Sequence, residues 1–230
     1  MRPFFHTFDE AWRWFAEGGE MTTFAATIDE ITQGRAQFLG FAARVTDRRV
    51  IDSLLDAQDA LAGIDGLMML PPEYLHVTLL TLGFQVIEKR QPDEVLRQDL
   101  PSIAERAVPV IQRTPLAEMM VGPINVFSDA IIMEVHDGGA VARMREALAE
   151  AVSPYVEVTA KGPYLPHVTT AVFGEGVDAA ALREALPAIR EAPPVTMAVR
   201  RVELLRAWYT GIEAGEVPEL DTVRSYALRE

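Results

Sequence analysis

The chain has 230 residues, 49% of them hydrophobic and 24% charged, and no cysteine. A chain of this length buries roughly 70–75% of its unfolded surface, so it needs no staple to fold; disordered and fibrous classes, disulfide frameworks, Cys-ligated metals and thiol nucleophiles are excluded. The 34 acidic residues outweigh the 21 basic ones for a net charge of −13, with lysine only at Lys89 and Lys161, so there is no basic stripe for a long duplex, and neither an apolar run long enough for a membrane span nor the basic-then-aliphatic start of an export signal.

Residues 1–34 stand apart as an N-terminal aromatic-rich helical extension. Seven of the eighteen aromatic residues fall within the first 24. Phe4, Phe8, Trp12 and Phe15 recur at helical spacing, Thr7 with Glu10 forms a capping box, and Gly18-Gly19 ends the helix. Packing on the body is the plain expectation; a lid over a site or a dimer arm are the alternatives. Residues 35–230 read as one bilobal domain. Gln37–Val45 is a strand, and Asp47–Ala62 a helix facing in with Val50, Ile51, Leu54, Leu55 and Leu61. Gly66–Leu70 and Leu75–Leu82 are strands around a Pro71-Pro72 turn. Ser102–Gln112 is a helix that Pro109 disturbs. Leu116–Val121 and Ala130–Val135 are strands, Val141–Val152 a helix and Pro166–Phe173 a strand. Asp178 caps a helix to Ile189 that Pro187 shortens or bends. Val195–Leu205 reads as one long strand with a bulge at Arg200-Arg201, where the inward set changes phase. The sum is α+β with mostly antiparallel sheet.

An internal repeat carries the chemistry. Pro72-Glu73-Tyr74-Leu75-His76-Val77-Thr78-Leu79 is echoed 91 residues later by Pro163-Tyr164-Leu165-Pro166-His167-Val168-Thr169-Thr170. Two of the chain's four histidines lie in it. In a strand, His and Thr two apart share a face, so each copy presents an imidazole beside a hydroxyl with Val turned away. A duplicated lobe about an approximate twofold axis brings both couples to one interface.

These motifs resemble those of the 2H phosphoesterase superfamily, near its branch of LigT-like RNA 2',3'-cyclic phosphodiesterases (2'-5' RNA ligases). His76-Val77-Thr78-Leu79 matches its His-h-Thr-h hallmark, where h is hydrophobic; the second copy departs with Thr170 in the last position. The resemblance spans about residues 35–230. It implies a bilobal, pseudo-twofold fold with two antiparallel sheets lining a central cleft and helices outside. It implies hydrolysis of a 2',3'-cyclic phosphate to a monoester, with ligation at a 2'-5' bond as the reverse type of reaction. A nucleotide- or RNA-end-binding module with little turnover is the alternative.

The residues themselves suit phosphodiester chemistry without a metal. Imidazole titrates near 6.5, so one His can be neutral while the other is charged. His76 is assigned as acid and His167 as base, an order the sequence does not fix. Thr78 and Thr169 would donate to the non-bridging oxygens. Tyr74, Tyr164, Phe84 and Lys161 are the candidate substrate-binding residues, the tyrosines as stacking surfaces. Arg200-Arg201 could add local charge, Phe173 is expected in the core, His6 in a structural role and His136 in an exposed turn. No carboxylate or further His stands at metal-ligand spacing beside the motifs, and no serine-hydrolase elbow, P-loop or dinucleotide fingerprint appears, so no cofactor or metal is expected. The expected partner is a small cyclic nucleotide or a short RNA 3' end in the cytoplasm, neither a long duplex nor a membrane.

Overall fold

Alternating apolar patterns of period 2 and period 3.6 give strands and helices that must bury one face each. A computed structural model describes residues 3–114, 118–158, 164–209 and 216–228. In chain order these hold α1 (Phe8–Ala16), α2 (Phe24–Thr32), β1 (Gln37–Arg44), α3 (Arg48–Leu61), β2 (Leu67–Met69), β3 (His76–Val86), β4 (Glu94–Leu96), α4 (Leu100–Arg113), β5 (Glu118–Val126), β6 (Ala130–His136), α5 (Ala140–Val152), β7 (His167–Phe173), α6 (Ala179–Arg190), β8 (Val195–Ala198), β9 (Arg201–Trp208) and β10 (Glu219–Ala227). A 3-10 turn at Pro72–Tyr74 precedes β3.

The main run of strands is β10-β9-β1-β3-β7-β6-β5-β8, with β2 beside β7 and β4 beside β3. All pairings are antiparallel except β3–β4. Two halves are evident, one around β1–β3 and one around β6–β7. They meet through a single pair, Val77 opposite Val168. The expected bilobal α+β architecture is thus present, its two antiparallel halves fused at that pair. Each lobe's strand–helix–strand unit sends its helix to the other lobe: α3 packs on α6, β8 and β7, and α5 on α4 and β3. This exchange buries Val50, Leu54 and Leu61 of α3 and Val141, Met144 and Leu148 of α5 in one continuous core.

The chain's second half corrects one expectation. Val195–Leu205 is not a single bulged strand. β8 pairs with β5 at one end of the sheet, whereas β9 pairs with β1 in the other lobe. The phase change at Arg200-Arg201 marks a crossing between lobes, and both arginines are exposed there. Three elements went unread: α2, the short β4, and β10, whose alternation is blurred by Asp221, Thr222 and Arg224. Pro109 and Pro187 lie inside helices that run continuously past them.

The extension packs against the body. Thr7 Oγ1 accepts from the Glu10 N–H at 3.1 Å, and the Glu10 carboxylate accepts from the His6 N–H at 2.7 Å, one residue before the cap. Ala11 and Phe15 are buried, while Phe8 and Phe24 cover Ala130, Ile132 and Val172. Ile132 lies opposite Thr169, so this small cluster sits on the sheet face that carries the second motif. Among the described residues no helix is long and apolar enough to cross a membrane.

Candidate active site

Each motif enters its strand the same way. Leu75 follows the Pro72–Tyr74 turn and Leu165 is followed by Pro166, and each strand begins at its histidine. Val77 and Val168 are fully buried, whereas His76, Thr78, His167 and Thr169 are half-buried on the opposite face. The Val77–Val168 pairing sets the register: His76 lies across from Thr169, and Thr78 across from His167. The approximate twofold axis passes between the two valines. Diagonal neighbours in such a ladder have Cα atoms about 7–8 Å apart, so His76 and His167 stand near each other on the cleft face.

The ring orientation is fixed twice over. His76 Nδ1 lies 2.6 Å from the Tyr74 carbonyl oxygen, and His167 Nδ1 lies 2.8 Å from that of Leu165. A carbonyl only accepts, so Nδ1 carries the proton in each and Nε2 is left for the cleft. The same i−2 contact in both lobes is the repeat expressed as chemistry. The Thr78 and Thr169 hydroxyls make no hydrogen bond to any described residue, so both remain available as donors. Behind the second motif Thr170 is buried, its hydroxyl donating to the Ile131 carbonyl at 3.2 Å. The departure from a hydrophobic residue at that position is therefore accommodated by a satisfied hydroxyl.

The two histidines differ in their neighbours. Arg44 lies opposite His76, and Glu134 opposite His167. Burial pushes His76 down to about 4; the Tyr74 hydrogen bond opposes this, and the positive fields of Arg44 and His167 reinforce it. Burial also lowers His167, opposed by the Leu165 hydrogen bond and by the negative charge of Asp129. Arg44 is held by Glu203 at 2.8 Å and by the Glu73 carbonyl. Glu134 is satisfied by Arg190 at 2.8 Å, Asn125 at 2.7 Å and His136 at 3.0 Å. His136 therefore ends β6 in contact with a buried carboxylate rather than sitting in a turn.

A histidine held neutral in the fold but protonated when unfolded makes the unfolded state bind more protons. Stability is then complete above the unfolded value near 6.5 and is lost as pH falls through it toward the folded value. Thermal melts should show the Tm falling between pH 6.5 and 4, by on the order of 1–2 kcal/mol of stability once the cleft's access to solvent is allowed for. The His76→Gln, His167→Gln double variant should flatten that slope; an unchanged slope would mean that other groups cause it.

The remaining candidates separate. Tyr164 is in the site: its ring centroid lies 6.4 Å from that of His167, and its hydroxyl donates to the Thr78 carbonyl, tying one motif to the other. Burial, the main cause, holds this phenol well above its ordinary range. Arg145 of α5 stacks on its ring at 4.7 Å. Tyr74 acts through its carbonyl; its hydroxyl is spent on Pro218 at 2.5 Å. Phe84 is 1% exposed, with Arg35 over its ring at 4.0 Å, and stands eight residues along β3 from His76, about 26 Å at the usual rise. It is a core residue beside a cavity of about 610 Å³, not a neighbour of the imidazoles. Phe173 is fully buried, as expected. Lys161 lies outside the described residues.

Sequence reasoning missed Arg44, Glu203 and Glu134. Their signal was present: a lone charge inside an otherwise apolar strand (FLGFAAR, VELL, IIMEV) is rarely there by accident. A hollow of about 200 Å³ opens beside His76 and Thr78, walled by Phe38, Leu205 and Tyr209. Another of about 220 Å³ opens beside His167, walled by Phe4, Phe5, Phe127 and Tyr164. Among the described residues no group of three or more His, Asp or Glu is placed to hold a metal ion.

Two inward-facing His-x-Thr strands joined about a pseudo-twofold axis define a class of fold and site, and the comparisons give its family. Residues 64–207, which contain both motifs, match the model of the 2'-5' RNA ligase superfamily, and the chain belongs to that superfamily. Its fold is similar to that of TT0787 of Thermus thermophilus, at 18% identity and a TM-score of 0.59, over 84% of this chain and 98% of that one. It is also similar to E. coli LigT in complex with 3'-AMP, at 14% identity and a TM-score of 0.56, over 86% of this chain and all of LigT. A structure described as a phosphoesterase matches at 16% identity and a TM-score of 0.59, over 85% and 99%. A search of curated protein sequences finds no match.

Proposed function

We propose that the chain is a metal-independent phosphodiesterase that opens a 2',3'-cyclic phosphate, on an RNA end or a small nucleotide, to a monoester. The observation that carries the reading is the pair of Nδ1-anchored imidazoles facing each other across the Val77–Val168 pair. One imidazole removes a proton from water as the water oxygen bonds to phosphorus. The other gives its proton to the ribose oxygen as the old P–O bond breaks. Attack and departure lie on opposite sides of phosphorus, as the twofold geometry requires. Thr78 and Thr169 donate to the two non-bridging oxygens, where charge grows in the transition state. With a 5'-hydroxyl in place of water, the same steps form a new P–O bond as the ring P–O bond breaks and leave a phosphodiester, the chemistry of 2'-5' ligation.

The neighbours support an order of roles. Arg44 opposite His76 disfavours its imidazolium, which suits a base; Asp129 favours the imidazolium of His167, which suits an acid. This reverses the order assigned from sequence. The small-nucleotide side of the reading is supported by the solved complex of LigT with 3'-AMP and by the net charge of −13, which disfavours long polyanions. The test is a screen of the four nucleoside 2',3'-cyclic phosphates and 2'-5' linked oligonucleotides. Turnover to a monoester, unchanged by EDTA, is expected; nucleotide binding with no turnover of any of them would establish a binding module instead.

A further inference from the structure

The hollow beside His167 differs from the one beside His76 in what builds it. Its outer wall comes from the first residues of the chain, Pro3 to Phe5, and its inner wall from Phe127 and Tyr164. The rings are ordered: Phe5 stacks on Phe127 at 6.0 Å with 23° between planes, and Phe127 meets the His167 ring edge-on at 4.9 Å. Trp14 backs Phe5 at 5.4 Å. The segment is held in place by two further contacts with the β5–β6 hairpin. The Thr22 N–H donates to the Ser128 carbonyl at 2.6 Å, and Asn125 Nδ2 donates to the Phe8 carbonyl at 3.0 Å. Phe4 itself is 58% exposed at the mouth of the hollow. Core packing does not explain an exposed phenylalanine held over a cleft, because its ring gains little from the body it sits on.

We propose that Phe4 and Phe5, with Phe127 and Tyr164, form a stacking subsite for the nucleobase attached to the reacting phosphate. The N-terminal segment is then a wall of the site that selects nucleotides over phosphates lacking a base. A planar heteroaromatic ring suits this wall: it buries Phe4, and stacking tolerates any base. The base then lies on the His167 side, in the hollow of about 220 Å³. The inference rests on the functional reading only in placing phosphate between the two histidines.

The experiment is calorimetric titration of the full chain with adenosine 3'-monophosphate and, separately, with inorganic phosphate. Phe4→Ala should weaken the nucleotide on the order of tenfold and phosphate by less than about twofold, and Phe4→Trp should restore nucleotide affinity. Phe5→Ala should do the same, with a circular dichroism melt to verify folding, since Phe5 also packs on Trp14. Equal losses for both ligands, no loss for either, or no nucleotide binding by the wild type would overturn the subsite. Base-dependent binding without turnover of cyclic phosphates would leave the subsite standing and remove the enzyme reading. Turnover with base-independent binding would do the reverse.

Discussion

His76→Ala and His167→Ala should each lower kcat/KM for a 2',3'-cyclic nucleotide by about 10²–10⁴-fold, the usual contribution of one positioned proton-transfer group. Both side chains are half-buried on the cleft face, and among the described residues each makes one hydrogen bond, to the carbonyl two residues before it. Losing either ring leaves the buried Val77–Val168 contact intact, so the fold should survive with the Tm near that of the wild type at neutral pH. The double variant should lose little beyond the worse single variant, because the two groups act in one transition state and their effects do not add. Steady-state kinetics alongside thermal melts would check this. A single variant with near-normal turnover would remove that histidine from the chemistry.

The assignment of roles has its own large effect. In a nucleoside 3'-(4-nitrophenyl phosphate) the ribose 2'-hydroxyl attacks phosphorus and nitrophenolate leaves without being protonated, so the only proton transfer needed is made by the group facing the ribose oxygen, now acting as its base. His76→Ala, whose ring faces the departing nitrophenolate, should recover most of its lost rate on that substrate, about 10²-fold or more, while His167→Ala should stay impaired. The opposite pattern would restore His76 as acid. The pH dependence follows with the sign set by the same neighbours. A neutral base is required, so kcat/KM should fall as pH drops below about 4, where His76 takes up a proton. A protonated acid is required, so kcat/KM should also fall as pH rises through the value of His167, which burial sets below the ordinary imidazole range. Substituting Arg44 by Gln should move the acidic limb upward, because a positive field opposing the His76 imidazolium is removed. Constant limbs in Arg44→Gln would show that burial alone sets them.

Local pattern was enough for the elements with strong period and for the motif pair. Asp47 caps α3 and Asp178 caps α6, as their positions before apolar-periodic runs require. The alternation in His-Val-Thr decided which residues face the cleft, because strand periodicity is local. Segments whose pattern is weak, the short β4 and β10, were not legible, and α2 was missed although Thr23 caps it, its Oγ1 accepting from the Ala26 N–H. The break at Arg200-Arg201 was visible as a change of phase, yet only the pairing of β8 with β5 and β9 with β1 turned it from a bulge into a crossing. The same holds at the site. Sequence spacing delivered two imidazoles and two hydroxyls; the tertiary register, through one valine pair, decided that they converge. It also decided which charges stand beside them, since Arg44 and Glu134 reach the histidines across strands, 32 and 33 residues away along the chain. Cross-strand neighbours depend on register and on which strands pair, and neither is written in local periodicity.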